Sequence, residues 1–232
     1  MFRWTFPALV SGLIALITFL PLGWVSGFVV PDDVKTIAPD LKFRGTVWDG
    51  SLTGLPIFGS ANFSVAPLSR RGSVQSGQGQ NYLAAQMSPA AIRDVVMRLD
   101  LGDLPLTDGR LQGLRGLLRT DIVELNISDQ SCTSARGTVW TDVLQRNGGQ
   151  IQWTGPELRG PLSCEEGALI ANLSGRDAQQ SIEALIRLQP DGIYRADVTV
   201  KTSRVEADAV LPLFGFSRSG QNFVLTEQAR WR

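Results

Sequence analysis

Between Arg3 and Asp32 the chain carries no charged residue. The run from Phe6 to Val30 (FPALVSGLIALITFLPLGWVSGFVV) is apolar enough that water is a poor solvent for it. A helix crossing hydrocarbon needs about 20 mostly apolar residues, and this run supplies them. We read it as a retained single-pass anchor. A cleaved signal peptide is its rival: such peptides have apolar cores of about 7–15 residues, and Val25-Ser26-Gly27 offers a small-residue cleavage site. A buried core helix is the third reading. Arg3 precedes the run and Asp32 and Asp33 follow it. Positive charge favours the cytoplasmic side, which places residues 1–5 inside, 6–30 in the bilayer and 31–232 outside the cytoplasm. Trp4 and Trp24 lie near the two ends, where amphipathic rings favour the interface, and Pro31 ends the helix.

Residues 31–232 suit one β-rich domain, or two small ones. The chain has 22 basic and 22 acidic side chains, so no excess charge draws it to nucleic acid. Glycine is abundant and lysine is confined to Lys35, Lys42 and Lys201. Alternation at 41–48 (LKFRGTVW) predicts a half-buried strand, and 121–127, 137–141 and 222–226 also read as strands. Residues 181–189 fit helix or strand. The clean alternation of 193–201 and the turn chemistry of Pro190-Asp191-Gly192 decide for a hairpin. Residues 69–81, rich in Ser, Gly and Gln, predict a loop or polar edge. Residues 88–99 predict a helix: Ser88 and Pro89 suit its start, and Ile92, Val95, Val96 and Leu99 recur at helical spacing. A short helix is expected within 205–213. The fold class is therefore mainly β: a twisted, largely antiparallel sheet, open or grooved like a half-barrel, with one or two short helices after the anchor.

Gly50-Ser51-Leu52-Thr53-Gly54 is echoed by Gly109-Arg110-Leu111-Gln112-Gly113 and more weakly by Pro156-Glu157-Leu158-Arg159-Gly160. Such glycines permit turns, bulges or close backbone approach, though Gly-rich β composition alone also produces short echoes. Trp48, Trp140 and Trp153 fall on predicted strands, where bulky aromatics are core more often than groove lining.

Absences narrow the chemistry. The chain has no histidine, which removes Ser-His and Cys-His catalysis. No phosphate-binding loop exists, and Gly77-Gln78-Gly79 lacks the third glycine of a dinucleotide fingerprint. Glu165 and Glu166, adjacent on a strand, would face opposite ways and read as a solvated turn. We expect no catalytic residues, no metal and no cofactor. Cys132 and Cys164 are most simply a disulfide in an oxidising compartment, or else two buried thiols; two cysteines alone do not complete a zinc site.

An ordered set of motifs runs along nearly the whole chain. Thr46-Val47-Trp48-Asp49-Gly50 follows the hydrophobic run, and Leu104-Pro105 precedes Asp108-Gly109-Arg110-Leu111-Gln112-Gly113. Cys132 leads to Ala135-Arg136-Gly137-Thr138-Val139-Trp140. Trp153-Thr154-Gly155-Pro156 leads to Leu158-Arg159-Gly160 and Cys164, and Gly215-Phe216 comes before the closing Trp231. This set resembles type II secretion system protein N. The stretch around 69–100 matches least well, and nothing is carried over there. The resemblance implies a non-enzymatic, single-pass inner-membrane protein with a periplasmic domain, accessory to the export of folded proteins. Its partners would be other inner-membrane or periplasmic secretion subunits. The family is also similar in pattern to larger periplasmic proteins with long grooved sheets linked to lipid, which implies a rival function: binding or conducting lipid along a groove. The faces of Tyr194, Val198 and Val200 discriminate, because an open apolar concavity there favours lipid and a covered one does not.

Overall fold

The computed structural model describes residues 21–22, 40–66, 68–89, 91–104 and 113–230. The expected anchor, apart from Pro21 and Leu22, lies outside the described residues, as does Trp231. Among the described residues no helix is long and apolar enough to cross a membrane. The chain divides into two compact units, Met1–Pro89 and Ala90–Arg232.

The N-terminal unit is an antiparallel meander: β1 (Lys42–Gly45), β2 (Asp49–Leu55), β3 (Gly59–Ala66), β4 (Arg71–Gln78) and β5 (Asn81–Met87), each paired to the next. The predicted strand at 41–48 stops at Gly45, whose φ of +89° turns the chain. Thr46 then closes the turn: its hydroxyl accepts from the Asp49 backbone N–H, and its own N–H donates to the Asp49 carbonyl. Trp48 therefore sits in a turn, half-buried, and not on a strand. The segment expected to be a loop or polar edge is mostly β4, an interior strand with β3 and β5 on either side. Its polar residues are tolerated because the backbone ladder satisfies the main chain whatever the side chains are, and Ser76, buried, donates its hydroxyl to the Ser60 carbonyl.

The C-terminal unit contains β6 (Ile92–Asp100), β7 (Leu117–Ser128), β8 (Ser131–Thr141), β9 (Leu158–Glu165), β10 (Ala168–Arg176), β11 (Gln180–Leu188), β12 (Ile193–Thr202), β13 (Ser217–Ser219) and β14 (Asn222–Arg230). From β6 to β12 each strand pairs antiparallel with the next. β14 then pairs with β12, and short β13 lies outside β14. The strands read from 121–127, 137–141 and 222–226 are present and longer than expected, and the hairpin across Pro190-Asp191-Gly192 is β11–β12. The helix expected at 88–99 is instead strand β6. Asp94 takes a left-handed φ of +49°, which interrupts the alternation, so apolar positions on either side fall three apart and mimic helical spacing.

Two short segments lie over one face of this sheet. The first holds α1 (Val143–Arg146), α2 (Gly148–Ile151) and the extended stretch Trp153–Pro156. The second holds α3 (Ala207–Val210), running into a 3-10 turn at Leu211–Phe214. This is the helix expected near Pro212. With the strands beneath, the two segments enclose one apolar core that includes Trp153, Leu173, Ile182, Val200, Leu211 and Phe223.

Candidate functional site: an apolar groove under a two-part cap

The pairing of β10, β11, β12 and β14 sets the groove out as rows of side chains across the covered face. The first row is Ile182, Val200 and Phe223; the second is Leu173, Ala184, Val198 and Leu225. The third is Ala171, Ile186, Ala196 and Glu227, and the fourth Leu169, Leu188, Tyr194 and Ala229. Alternation puts every second residue of a strand on this face, so the rows follow from sequence period and register together. Their burial falls steadily along the strands. Ile182 and Val200 are each 1% exposed, Ile186 and Val198 are half-buried, and Leu188 is 38% exposed. The outer face carries charge instead, with Arg195 holding Asp197 through two hydrogen bonds of 2.8 and 3.0 Å.

The cap covers the first two rows and leaves a cavity of about 350 Å³, lined almost wholly by apolar side chains. Val198 and Val200 line it; Tyr194, two rows further out, is half-buried beyond it. The face is therefore closed at one end and progressively open at the other. Neither a helix at 88–99 nor a second sheet among the described residues covers it.

Buried polar groups hold the cap. Asp142 accepts the Leu117 N–H (2.7 Å) and the Arg146 Nε–H (2.5 Å), tying α1 to the start of β7. Asn147, fully buried between the two short helices, donates to the carbonyls of Arg115 and Val143 and accepts the Arg115 N–H. Gln180, the first residue of β11, donates to the Thr154 carbonyl (2.6 Å) and to Asp177 Oδ2 (2.7 Å), pinning the Trp153–Pro156 stretch at the closed end. Helices of four residues have no intrinsic stability in water, so these bonds and the core contacts hold them. Burial pushes the Asp177 carboxyl up, but hydrogen bonds from Gln180 and from the Gln179 and Gln180 backbone, with the Arg204 charge, outweigh it and hold the group below the usual carboxylate value. The Arg195 and Thr226 hydrogen bonds hold Asp197 low in the same way.

Several residues singled out in the sequence converge here. Trp153 is 5% exposed and lines the cavity. A Cβ on Gly155 would lie 2.7 Å from Leu144 Cβ, so only glycine lets this stretch press against α1. Pro156 is buried beside it. Gly215, at φ +89°, ends the 3-10 turn and delivers Phe216 to the cavity wall. A Cβ on Gly160 would collide with the Asn172 carbonyl, so that glycine lets β9 and β10 close together. Cys132 and Cys164 form a disulfide with Cα atoms 5.5 Å apart. It joins β8 to β9 beyond Gly137↔Leu162, where their ladder stops, and Cys164 lies opposite Leu169 of the fourth row. The bond thus staples the open end of the groove.

The others lie elsewhere. Trp140 is not core. It faces away from the groove, under Arg119 at 4.9 Å, and its indole donates to Glu157. Gly50 and Gly54 are in β2: a Cβ on Gly50 would meet the Phe63 ring at 2.7 Å, and Gly54, at φ +92°, sits at a register shift. Gly109 lies outside the described residues, and Gly113 occupies a turn at φ +77°. Glu165 and Glu166, at the β9–β10 turn, lie 3.7 and 3.6 Å from Arg187 and are mostly exposed. Among the described residues no cluster of His, Cys, Asp or Glu is arranged to hold a metal. Sequence reasoning missed the cap itself: buried Asn147 and Gln180 look like ordinary loop and strand-end residues in the sequence.

These features define a mainly β protein with an apolar groove under a two-part cap. A family model, Type II secretion system (T2SS), protein N, matches residues 42–225, and the chain belongs to that family. No curated protein and no solved structure matches it. Membership carries an accessory role in the secretion system, with its other subunits as partners.

Proposed function

We propose that this chain is a non-enzymatic assembly component of the type II secretion apparatus. Residues 6–30 hold it in the inner membrane, the N-terminus is cytoplasmic, and residues 31–232 work in the periplasm. The family match over residues 42–225 carries this reading. The Cys132–Cys164 disulfide supports an oxidising compartment. The docking surface we assign is the outer side of β14: β13 pairs with Asn222, Phe223 and Val224 and goes no further, so a partner strand has the length to Arg230 available for addition.

The test is a photo-crosslinking residue at Gln228, with one at exposed Asp129 in the β7–β8 turn, several strands away, as control, in cells that carry the secretion system. Adducts with secretion subunits from position 228 alone are expected, together with loss of exported protein from the medium in a deletion strain. No adducts from a normally abundant protein would remove the docking surface, and unchanged export in the deletion strain would remove the function.

A second reading, lipid binding by the groove, is favoured by one observation: the face that runs from the exposed Leu188 to the buried Ile182 leads into a cavity whose lining is apolar except at Thr141, Asn147 and Glu227.

A further inference from the structure

We infer that the sheet face opposite the groove carries a docking site for an acidic segment of a partner protein. A carboxylate of that segment sits over Trp140, between Arg119 and Arg159. The site is separate from the β14 edge and from the groove, and its binding test does not depend on the secretion reading.

Strand register builds it. Arg98 lies opposite Arg119, Arg119 opposite Trp140, and Trp140 opposite Arg159. Alternation turns this row away from the cap, since the neighbouring Leu118, Val139 and Leu158 pack in the core. All three arginines are exposed. Like charges directly opposite on a ladder repel, and Arg98 and Arg119 form such a pair. None of the three has an ion-pair partner among the described residues, whereas Arg93 and Arg136, further along the same strands, share Glu124. Two carboxylates lie near the row. Glu157 is engaged by the indole, accepting its Nε1–H at 3.0 Å, and Asp121, opposite Thr138, forms no ion pair. Three guanidinium groups against two carboxylates leave the row positive, and an arriving carboxylate relieves the repulsion.

Trp140 is held ready. It is half-buried, with the Arg119 guanidinium 4.9 Å from its ring and Glu157 on its nitrogen. A fixed tryptophan flanked by arginines is the combination in which protein interfaces concentrate binding energy. The cleft over Arg119, Asp121, Thr138, Trp140 and Arg159 holds about 200 Å³. That is below the roughly 300 Å³ at which small-molecule pockets begin, and it admits one side chain. Arg119 and Arg159 are two strands apart, about 10 Å between backbones, so both reach a carboxylate placed between them. A bilayer fits this face less well. The indole is pinned flat, and Asp121 and Glu157 oppose an anionic surface laid across the row.

The full-length protein in phosphatidylcholine nanodiscs is titrated calorimetrically with an octaglutamate peptide. Saturable binding is expected, weakened about ten-fold or more in the double variant Arg119→Gln/Arg159→Gln. Arg98→Gln should weaken it about three-fold without lowering the melting temperature, because the substitution removes a repulsion. Arg136→Gln removes a cation that is already paired and should leave binding unchanged. Thermal melting checks that each variant is folded. No binding of the peptide overturns the site, and an equal loss in Arg136→Gln overturns it in favour of diffuse attraction. Phosphatidylglycerol vesicles that bind more tightly than the peptide, and lose binding in the same double variant, overturn the protein partner in favour of a lipid headgroup. Displacement of the peptide by an equal concentration of inorganic phosphate overturns it in favour of a free anion. In cells, benzoylphenylalanine at exposed Thr138 should cross-link to a segment rich in Asp and Glu, and the adduct should vanish in the double variant. An adduct on a segment without acidic residues overturns the acidic partner.

Discussion

The two units use the same construction, an antiparallel meander, and stabilise it differently. Among the described residues of the N-terminal unit the buried apolar side chains are Ala61 and Ala85, and the buried polar ones are Ser76 and Asn81. The C-terminal unit buries Trp153, Leu158, Leu162, Leu173, Ile182, Leu211 and Phe223 under its cap. Both are held by antiparallel ladders, so hydrogen bonding does not separate them. What separates them is apolar area withdrawn from water, about 25 cal/mol per Å², which a row of alanines and serines cannot match. The comparison teaches that a meander acquires a core only where a crossing segment covers one face. Among the described residues the segments that do so are 142–156 and 205–216.

The largest effect should come from emptying the first row. Ile182→Ala is expected to destabilise the C-terminal unit by about 2–5 kcal/mol in urea titration, whereas Val74→Ala, in β4 of the other unit, should cost about 1 kcal/mol or less. Equal costs would mean that the N-terminal unit has a comparable core. Next, replacing Cys132 and Cys164 by serine should cost about 3–4 kcal/mol, measured by thermal melting with and without reductant, because the bond closes a loop of sequence separation 32. Reductant should leave the N-terminal unit's amide exchange unchanged.

Smaller effects sharpen the role of the cap. Gly155→Ala pushes a methyl group against Leu144 and should cost about 1–3 kcal/mol, while Gly149→Ala, with open space around its Cβ, should be neutral by the same melting assay. The smallest expected effect is on pH. Asp177 and Asp197 are both held below the ordinary carboxylate value in the fold. Their contribution is present above the unfolded value near 4 and is lost as pH falls through the lower folded values. The melting temperature of the C-terminal unit should therefore drop as pH falls below about 4, and Asp177→Asn should flatten part of that slope. A slope unchanged in Asp177→Asn would show that the Asp177–Gln180–Thr154 link does not hold the cap.

Strand alternation at 193–201, the turn at Pro190-Asp191-Gly192 and the absence of histidine were plain in the residues, because period and turn chemistry are local. Glycines at 54, 155 and 215 were visible as unusual, but which of them met a bulge, a cap contact or a helix end was not. β4 and β6 were misread for a related reason. A polar strand held between neighbours looks like a loop, and a strand interrupted at Asp94 looks like a helix, until pairing partners are known. The sequence by itself determined that one apolar face would run along β11 and β12, since alternation is a property of the chain. Only the tertiary structure decided what covers that face, because Asn147, Gln180 and Trp153 reach it from segments whose partners lie roughly thirty residues away and carry no periodic signal.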